Sequence, residues 1–137
     1  MSTDVEQSSV DADHLRVLVV DDDPALAELT SISLEHRLEE VDAVPVSTPD
    51  DALARIEDDP SVDCVVSDYR MPGIDGLELH DRITECRPGL PFILFTASAT
   101  EDLERKAGEA GVAAFVEKNG SDRTFDALSS SIRRQGI

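Results

Sequence analysis

Three carboxylates stand side by side in "VLVVDDDPAL", at Asp21, Asp22 and Asp23, directly after an apolar, Val-rich run. Adjacent anions repel one another and gain nothing from an apolar strand, so the crowding needs a physical reason. Other residues that could do chemistry occupy comparable places. Asp68 follows "VDCVVS", Thr96 ends "PFILFT" and Lys118 follows "AAFVE". A hard divalent cation would relieve the mutual repulsion of such carboxylates. Magnesium suits one or two carboxylates with waters and phosphate oxygens, whereas calcium wants more protein oxygens and an EF-hand loop, which the sequence lacks. An ammonium at Lys118 and a hydroxyl at Thr96, facing those anions, suit a phosphoryl group.

These residues can meet only if the chain brings them to one edge. Strand-like runs cover Arg16–Val20, Ala43–Ser47, Val62–Ser67, Pro91–Thr96 and Ala113–Glu117. All but the second read as continuous apolar runs, as strands buried on both faces do. The second carries Pro45, which cannot donate to a ladder and marks an edge. Between the runs lie helix signals. Asp23 caps a helix that starts at Pro24 and offers Leu26, Leu29, Ile32 and Leu34 as its apolar stripe. Thr48, Pro49 and Asp51 repeat that start before Ala52, Leu53 and Ile56. A third helix runs from Gly76 to Cys86 on Leu77, Leu79 and Ile83. The fourth, Thr100 to Ala110, has Leu103 as its one large apolar residue, and the fifth begins near Ser121 with Phe125, Leu128 and Ile132.

This alternation predicts an α/β fold, doubly wound, with a parallel five-stranded sheet in the order 2-1-3-4-5. Ligands of such sheets bind outside the carboxyl ends of the strands. The first and third strands are neighbours in that order, so Asp21 and Asp22 converge on Asp68. Asp23 and Asp75 read as helix caps.

The 137 residues suit one domain, residues 15–137, behind a flexible acidic N-terminal tail, residues 1–14. With 40% apolar and 4% aromatic residues the core must be aliphatic. Thirty acidic side chains against 12 Lys and Arg give a net charge of -18, which disfavours direct nucleic-acid or membrane partners. The acids are scattered over every segment, a pattern that points to a halophilic organism rather than to one acidic patch. Cys64 and Cys86 lack CxxC spacing and read as reduced thiols. With no apolar run of about 18 residues and no signal-peptide pattern, the expected location is cytoplasmic. His14 falls in the tail, and His36 and His80 read as solvated helix surface.

Through "VLVVDDDP", "VVSDYRMPGIDGLEL", "FILFTASA" and "FVEK", in that order between Leu15 and Ile132, the chain resembles the receiver domain of two-component response regulators. The resemblance implies a CheY-like, flavodoxin-like (βα)5 sandwich and a phosphorylation-activated signalling switch. Asp68 matches the phosphoacceptor, which attacks a phosphohistidine on a partner sensor histidine kinase. Asp22 matches a direct Mg2+ ligand, Asp21 one that acts largely through water, and the backbone carbonyl of Arg70 a further ligand beside Asp68. Thr96 matches the switch hydroxyl, Lys118 the lysine that pairs with phosphoryl oxygens, and Phe115 the rotating aromatic. Repacking of the fourth helix, fifth strand and fifth helix would then be the output to a downstream effector, and leaves room for a phosphorylation-dependent homodimer. Such a domain is no enzyme beyond catalysing its own phosphorylation and dephosphorylation.

One departure stands out. The family usually follows its lysine with a proline in a cis peptide, whereas this chain has Asn119 and then Gly120, so a trans bond or a strained loop relieved by Gly120 is expected. The resemblance implies that Arg70 and Ser98 occupy the two variable positions that tune dephosphorylation in the family. Two alternatives compete: a degenerate receiver serving as a docking module, and a haloacid-dehalogenase-like phosphatase with Asp21 as nucleophile. Against the latter stand Pro24, the lack of an acidic pair after Lys118, and the short chain. The chain is expected to be a stand-alone receiver or the front of a longer regulator or hybrid kinase.

Overall fold

The computed structural model describes residues 14–135, so the expected N-terminal tail lies, apart from His14, outside the described residues. The elements alternate strictly: β1 (Leu15–Val20), α1 (Pro24–Arg37), β2 (Val41–Val46), α2 (Pro49–Asp58), β3 (Val62–Ser67), α3 (Gly76–Cys86), β4 (Phe92–Thr96), α4 (Glu101–Ala110), β5 (Ala114–Glu117) and α5 (Asp122–Arg133). All strands pair in parallel, in the order β2-β1-β3-β4-β5. This is the predicted doubly wound sheet, with β1 beside β3. β2 pairs with β1 alone and places Pro45 opposite Val19 on the edge strand.

Successive side chains of a strand point to opposite faces, so each central strand feeds two apolar layers. Val17, Val19, Cys64 and Val66 meet Leu34 of α1 and Leu128 and Ile132 of α5. Leu18, Val20, Val65 and Leu94 meet Ile56, Leu79, Ile83 and Leu103 from α2, α3 and α4. Each fully buried aliphatic side chain contributes about 1.5–3 kcal/mol to the sandwich. Burial pushes the Cys64 thiol up to about 12, which makes it an inert part of the core.

The helices start where their caps say. Asp23, Thr48, Asp75 and Thr100 each accept a backbone N–H from the first turn, at 3.0, 3.0, 2.9 and 3.1 Å. Asp23, Thr48 and Thr100 follow their strands closely and Asp75 follows β3 by a longer loop, so the helix starts and the strand ends share one edge of the sheet.

Two expectations fail. The predicted α1 stripe is mostly outside: Leu26, Leu29 and Ile32 are 40%, 49% and 56% exposed. The buried face is Ala27, Thr30, Ser31 and Leu34. Small side chains let α1 lie close to the sheet, and Ser31 satisfies its hydroxyl on the Ala27 carbonyl at 2.8 Å. His80 is likewise buried rather than solvated. Its ring stands edge-on to Phe92, with centroids 5.0 Å apart, and among the described residues its Nδ1 has no hydrogen-bond partner.

Candidate functional site

Ladder hydrogen bonds carry β1 and β3 to the site in step. Asp68 N–H donates to the Val20 carbonyl at 3.0 Å, and Asp21 N–H to the Val46 carbonyl at 3.1 Å. The two carboxylates therefore leave the sheet at the same height. Carboxylate oxygens of Asp21, Asp22 and Asp68 lie within 4.8 Å of one another. Asp21 is buried, Asp68 half-buried and Asp22 exposed, so the group opens from the core toward solvent.

Lys118 completes the arrangement. Its Nζ donates to Asp21 Oδ2 at 2.7 Å and to Asp68 Oδ2 at 3.0 Å, and it lies 5.3 Å from the centroid of the Phe95 ring. Burial alone would lower this ammonium's pKa, but the hydrogen bonds and charges of Asp21 and Asp68 outweigh it and hold it above the ordinary lysine value. The remaining oxygens are partly engaged: Asp21 Oδ1 accepts from Asp23 N–H at 3.0 Å, and Asp68 Oδ1 from Tyr69 N–H at 2.6 Å. Three carboxylates served by one ammonium form an all-oxygen donor set with surplus negative charge, and that set fits a hard divalent cation.

The lysine reaches this place without a proline behind it. The Lys118–Asn119 peptide is trans, and Gly120 takes φ +78°. Asn119 Oδ1 accepts from Ser121 N–H at 3.1 Å and from its hydroxyl at 2.8 Å, a local turn that links β5 to α5. On the inner side, Lys118 N–H donates to the Thr96 carbonyl at 2.9 Å, which ties the ends of β4 and β5 together.

Thr96 is buried, and its hydroxyl accepts from Ser98 N–H at 3.1 Å. Phe115 pairs with Leu94 across β4 and β5, half-buried against the layer of α2, α3 and α4. Arg70 is exposed in the loop between β3 and α3, and its Nε donates to Ser98 Oγ at 2.8 Å. Asp21, Asp22, Asp68 and Lys118 thus meet at one point, while Thr96 ends β4, Phe115 lies on β5 and Arg70 lies on the loop after β3.

Sequence reasoning missed the supports. A Cβ on Gly76 would overlap the Asp68 carbonyl oxygen and come 2.9 Å from Leu94 Cδ1, so only glycine lets α3 start this close to Asp68. Its N–H also closes the loop onto the Tyr69 carbonyl at 2.7 Å. A glycine as first residue of a helix, where better helix formers abound, was the available signal. Ser67, fully buried, bonds the Asp68 carbonyl at 2.8 Å. For Phe95 under Lys118 there was none, since it reads as any core aromatic.

The family model for the response regulator receiver domain matches residues 17–129. The C4-dicarboxylate transport transcriptional regulatory protein DctD of Pseudomonas aeruginosa is 39% identical over 123 residues, covering 87% of this chain and 24% of that protein. The transcriptional regulatory protein FixJ of Bradyrhizobium diazoefficiens is 35% identical over 121 residues, covering 87% and 57%. The chain thus spans less than two thirds of the length of these relatives. Among solved structures, the CheY-like receiver domain protein of Methanospirillum hungatei JF-1 aligns with a TM-score of 0.74 at 28% identity, over 90% of this chain and 94% of that one. The non-phosphorylated HemR receiver domain of Leptospira biflexa aligns with a TM-score of 0.68 at 28% identity, over 88% and 93%.

Proposed function

The chain belongs to the response regulator receiver domain family, and from that premise we propose that Asp68 accepts a phosphoryl group from a phosphohistidine of a sensor histidine kinase, with Mg2+ as cofactor. The observation that carries this reading is Lys118 held between Asp21 and Asp68, with Asp22 in reach of both carboxylates. A nucleophile needs an open approach, and Asp68 is the half-buried member of the cluster whereas Asp21 is closed in. A carboxylate oxygen of Asp68 attacks phosphorus in line, the P–N bond breaks, and the departing imidazole keeps the electron pair and takes up a proton. Lys118 neutralises the equatorial oxygens as they pass, a role that suits a transition state short of covalent assistance. Asp22, Asp68 and the Arg70 carbonyl, with Asp21 through water, would hold the metal, which supplies further charge neutralisation when bound.

The new group carries a charge near -2, and its oxygens can accept a charge-assisted hydrogen bond from the Thr96 O–H. Movement of Thr96 leaves space for Phe115, and the surface formed by α4, β5 and α5 repacks toward an effector or a second copy of the chain. The domain then catalyses its own phosphorylation and dephosphorylation and no other reaction. The docking-module alternative loses its motive, because Lys118 sits on both carboxylates despite the altered loop. No helix among the described residues is long and apolar enough to cross a membrane. A cytoplasmic location and a domain of residues 15–137 are part of the same proposal.

Incubation with magnesium and acetyl phosphate, followed by intact mass and borohydride trapping, tests this directly. The expected result is one phosphoryl group per chain, trapped at residue 68 and abolished in Asp68→Asn. Trapping at Asp21 would transfer the case to the phosphatase reading, and no labelling would favour the docking module.

A further inference from the structure

His80 is a titratable group that the phosphoryl chemistry leaves unused, and it is buried where α4 ends. Its side chain is 8% exposed, and among the described residues its Nδ1 is buried without a hydrogen-bond partner. The ring rises from α3 and stands edge-on to Phe92 of β4, and a Cβ on Gly111 would lie 4.0 Å from its Cε1. Gly111 ends α4 with φ +93°. The next two residues fasten the same turn: Val112 N–H donates to the Ala107 carbonyl at 3.0 Å, and Ala113 N–H to the Phe92 carbonyl at 2.8 Å.

α4 is thinly anchored. Its buried residues are Leu103 and Ala107, while Glu101, Asp102, Glu104, Arg105, Lys106 and Glu109 are all exposed. β4 and the turn of residues 111–113 carry no titratable side chain. Among the described residues the charged side chain that faces the ring is therefore Asp81 of α3, whose Oδ1 is 3.8 Å from Nδ1 and whose side chain is 75% exposed. A neutral imidazole can leave Nδ1 bare as an acceptor. The imidazolium must donate from both nitrogens, and a buried donor without an acceptor is costly. Protonation thus favours a ring turned out toward solvent and Asp81, which empties its place beneath the α4 turn.

We propose that His80 is a proton-sensitive seat for α4: the neutral ring holds the turn between α4 and β5 against β4, and the protonated ring releases it. Acid and any event that lifts the end of α4 then favour each other, because the unseated form binds the extra proton. Burial keeps the seated ring below its ordinary 6.5, and a solvated ring returns there, so acid favours release from about pH 6.5 downward, by at most about tenfold per pH unit. The link to signalling rests on the proposed repacking of α4, β5 and α5 by a phosphoryl group on Asp68.

Two measurements test this. Hydrogen exchange without ligand, expressed as protection factors, compares about pH 7.5 with about pH 5.5. Wild type should lose protection about threefold or more in acid at the amides of α4, Gly111 and Val112, with a smaller loss in α1, and His80→Leu should abolish the excess. An equal loss in α1, no loss, or a loss that survives in His80→Leu would each overturn the seat. The second measurement needs no substitution. The His80 Cε1–H resonance of wild type is titrated with magnesium alone and with magnesium plus beryllofluoride. The midpoint should rise by about 0.5 or more toward 6.5 when beryllofluoride is added. Beryllofluoride that shifts the Thr96 amide yet leaves this midpoint in place would overturn the coupling. A wild type that beryllofluoride leaves unchanged would overturn the phosphoacceptor reading instead, and the exchange data would still judge the seat.

Discussion

The two ends of the sheet solve the same charge problem differently. At the amino ends of the strands, Arg16 donates to Asp42 at 3.1 Å, to Asp59 at 2.9 Å and to Ser61 at 3.1 Å, and its own N–H meets Asp63 at 2.9 Å. Arg55 approaches Asp59 at 3.4 Å, and Arg87 donates to the Val62 carbonyl at 2.8 Å. Hydrogen bonds from Ser61 and then Arg16 hold the Asp59 carboxyl well below the usual range. At the carboxyl ends, one ammonium serves Asp21 and Asp68, and Asp22 has no ion pair or hydrogen bond among the described residues. The first cluster is closed and the second is short of positive charge. Crowded carboxylates alone therefore mean little; an unbalanced remainder beside the half-buried Asp68 is what supports the proposal of a site for metal and phosphate.

The largest effect should follow removal of Lys118, the one cation paired with these carboxylates among the described residues. Lys118→Met leaves Asp21 and Asp68 facing each other without compensation, and breaking a mostly buried pair costs about 3 kcal/mol. Urea unfolding should show that loss without metal and a substantial recovery in excess Mg2+, because a cation that binds only the folded cluster stabilises it by linkage. A loss that magnesium leaves untouched would mean that the carboxyl end is as closed as the other.

Much of this contrast was legible beforehand. β-branched runs gave the strands, the parallel-sheet rule placed β1 against β3, and that adjacency brought Asp21, Asp22 and Asp68 together. Caps at Asp23 and Asp75 were readable because side-chain capping is local chemistry. What escaped depends on contacts between segments far apart. α1 carries two stripes, and counting large apolar residues selected Leu26, Leu29 and Ile32 where tertiary packing buried Ala27, Thr30 and Ser31. His80 looked solvated amid "ELHDRI", yet its place on α3 faces Phe92 of β4. Gly76 and the Arg70–Ser98 bond belong to the same class, fixed by the approach of one loop to another.

His80 offers the next effect in size, and it tests a titratable group that belongs to neither end. Burial pushes the imidazole pKa below its ordinary 6.5, against a smaller opposing pull from Asp81, whose Oδ1 is 3.8 Å from Nδ1. Above 6.5 folded and unfolded chains both hold a neutral ring; below it the unfolded chain takes the proton first, so stability falls as pH falls toward the lower folded value. Between about pH 7.5 and 5.5 the slope from this one group can approach, and not exceed, about 1.4 kcal/mol per pH unit. His80→Leu should flatten that limb of the unfolding profile while leaving magnesium titrations alone. An unchanged slope would place the acid sensitivity elsewhere.

The smallest effect should come from the closed end, which is what being closed means. Arg16 is 37% exposed at its side chain, and solvent screens its pairs with Asp42 and Asp59, so Arg16→Met should cost about 1 kcal/mol or less. Its signature lies in the acid limb. A carboxyl held below its ordinary 3.8 contributes stability above that pH and loses it as pH falls toward the folded value. Without Arg16 the Asp59 carboxyl moves back toward 3.8, and the loss of stability below pH 3.8 becomes shallower. Magnesium affinity and labelling of Asp68 should match wild type in the same preparation, because Arg16 stands at the opposite end of β1 from the cluster of Asp21, Asp22 and Asp68. Should Arg16→Met alter metal binding, the two ends would be coupled through β1, and the division between a closed structural cluster and an open functional one would have to be given up.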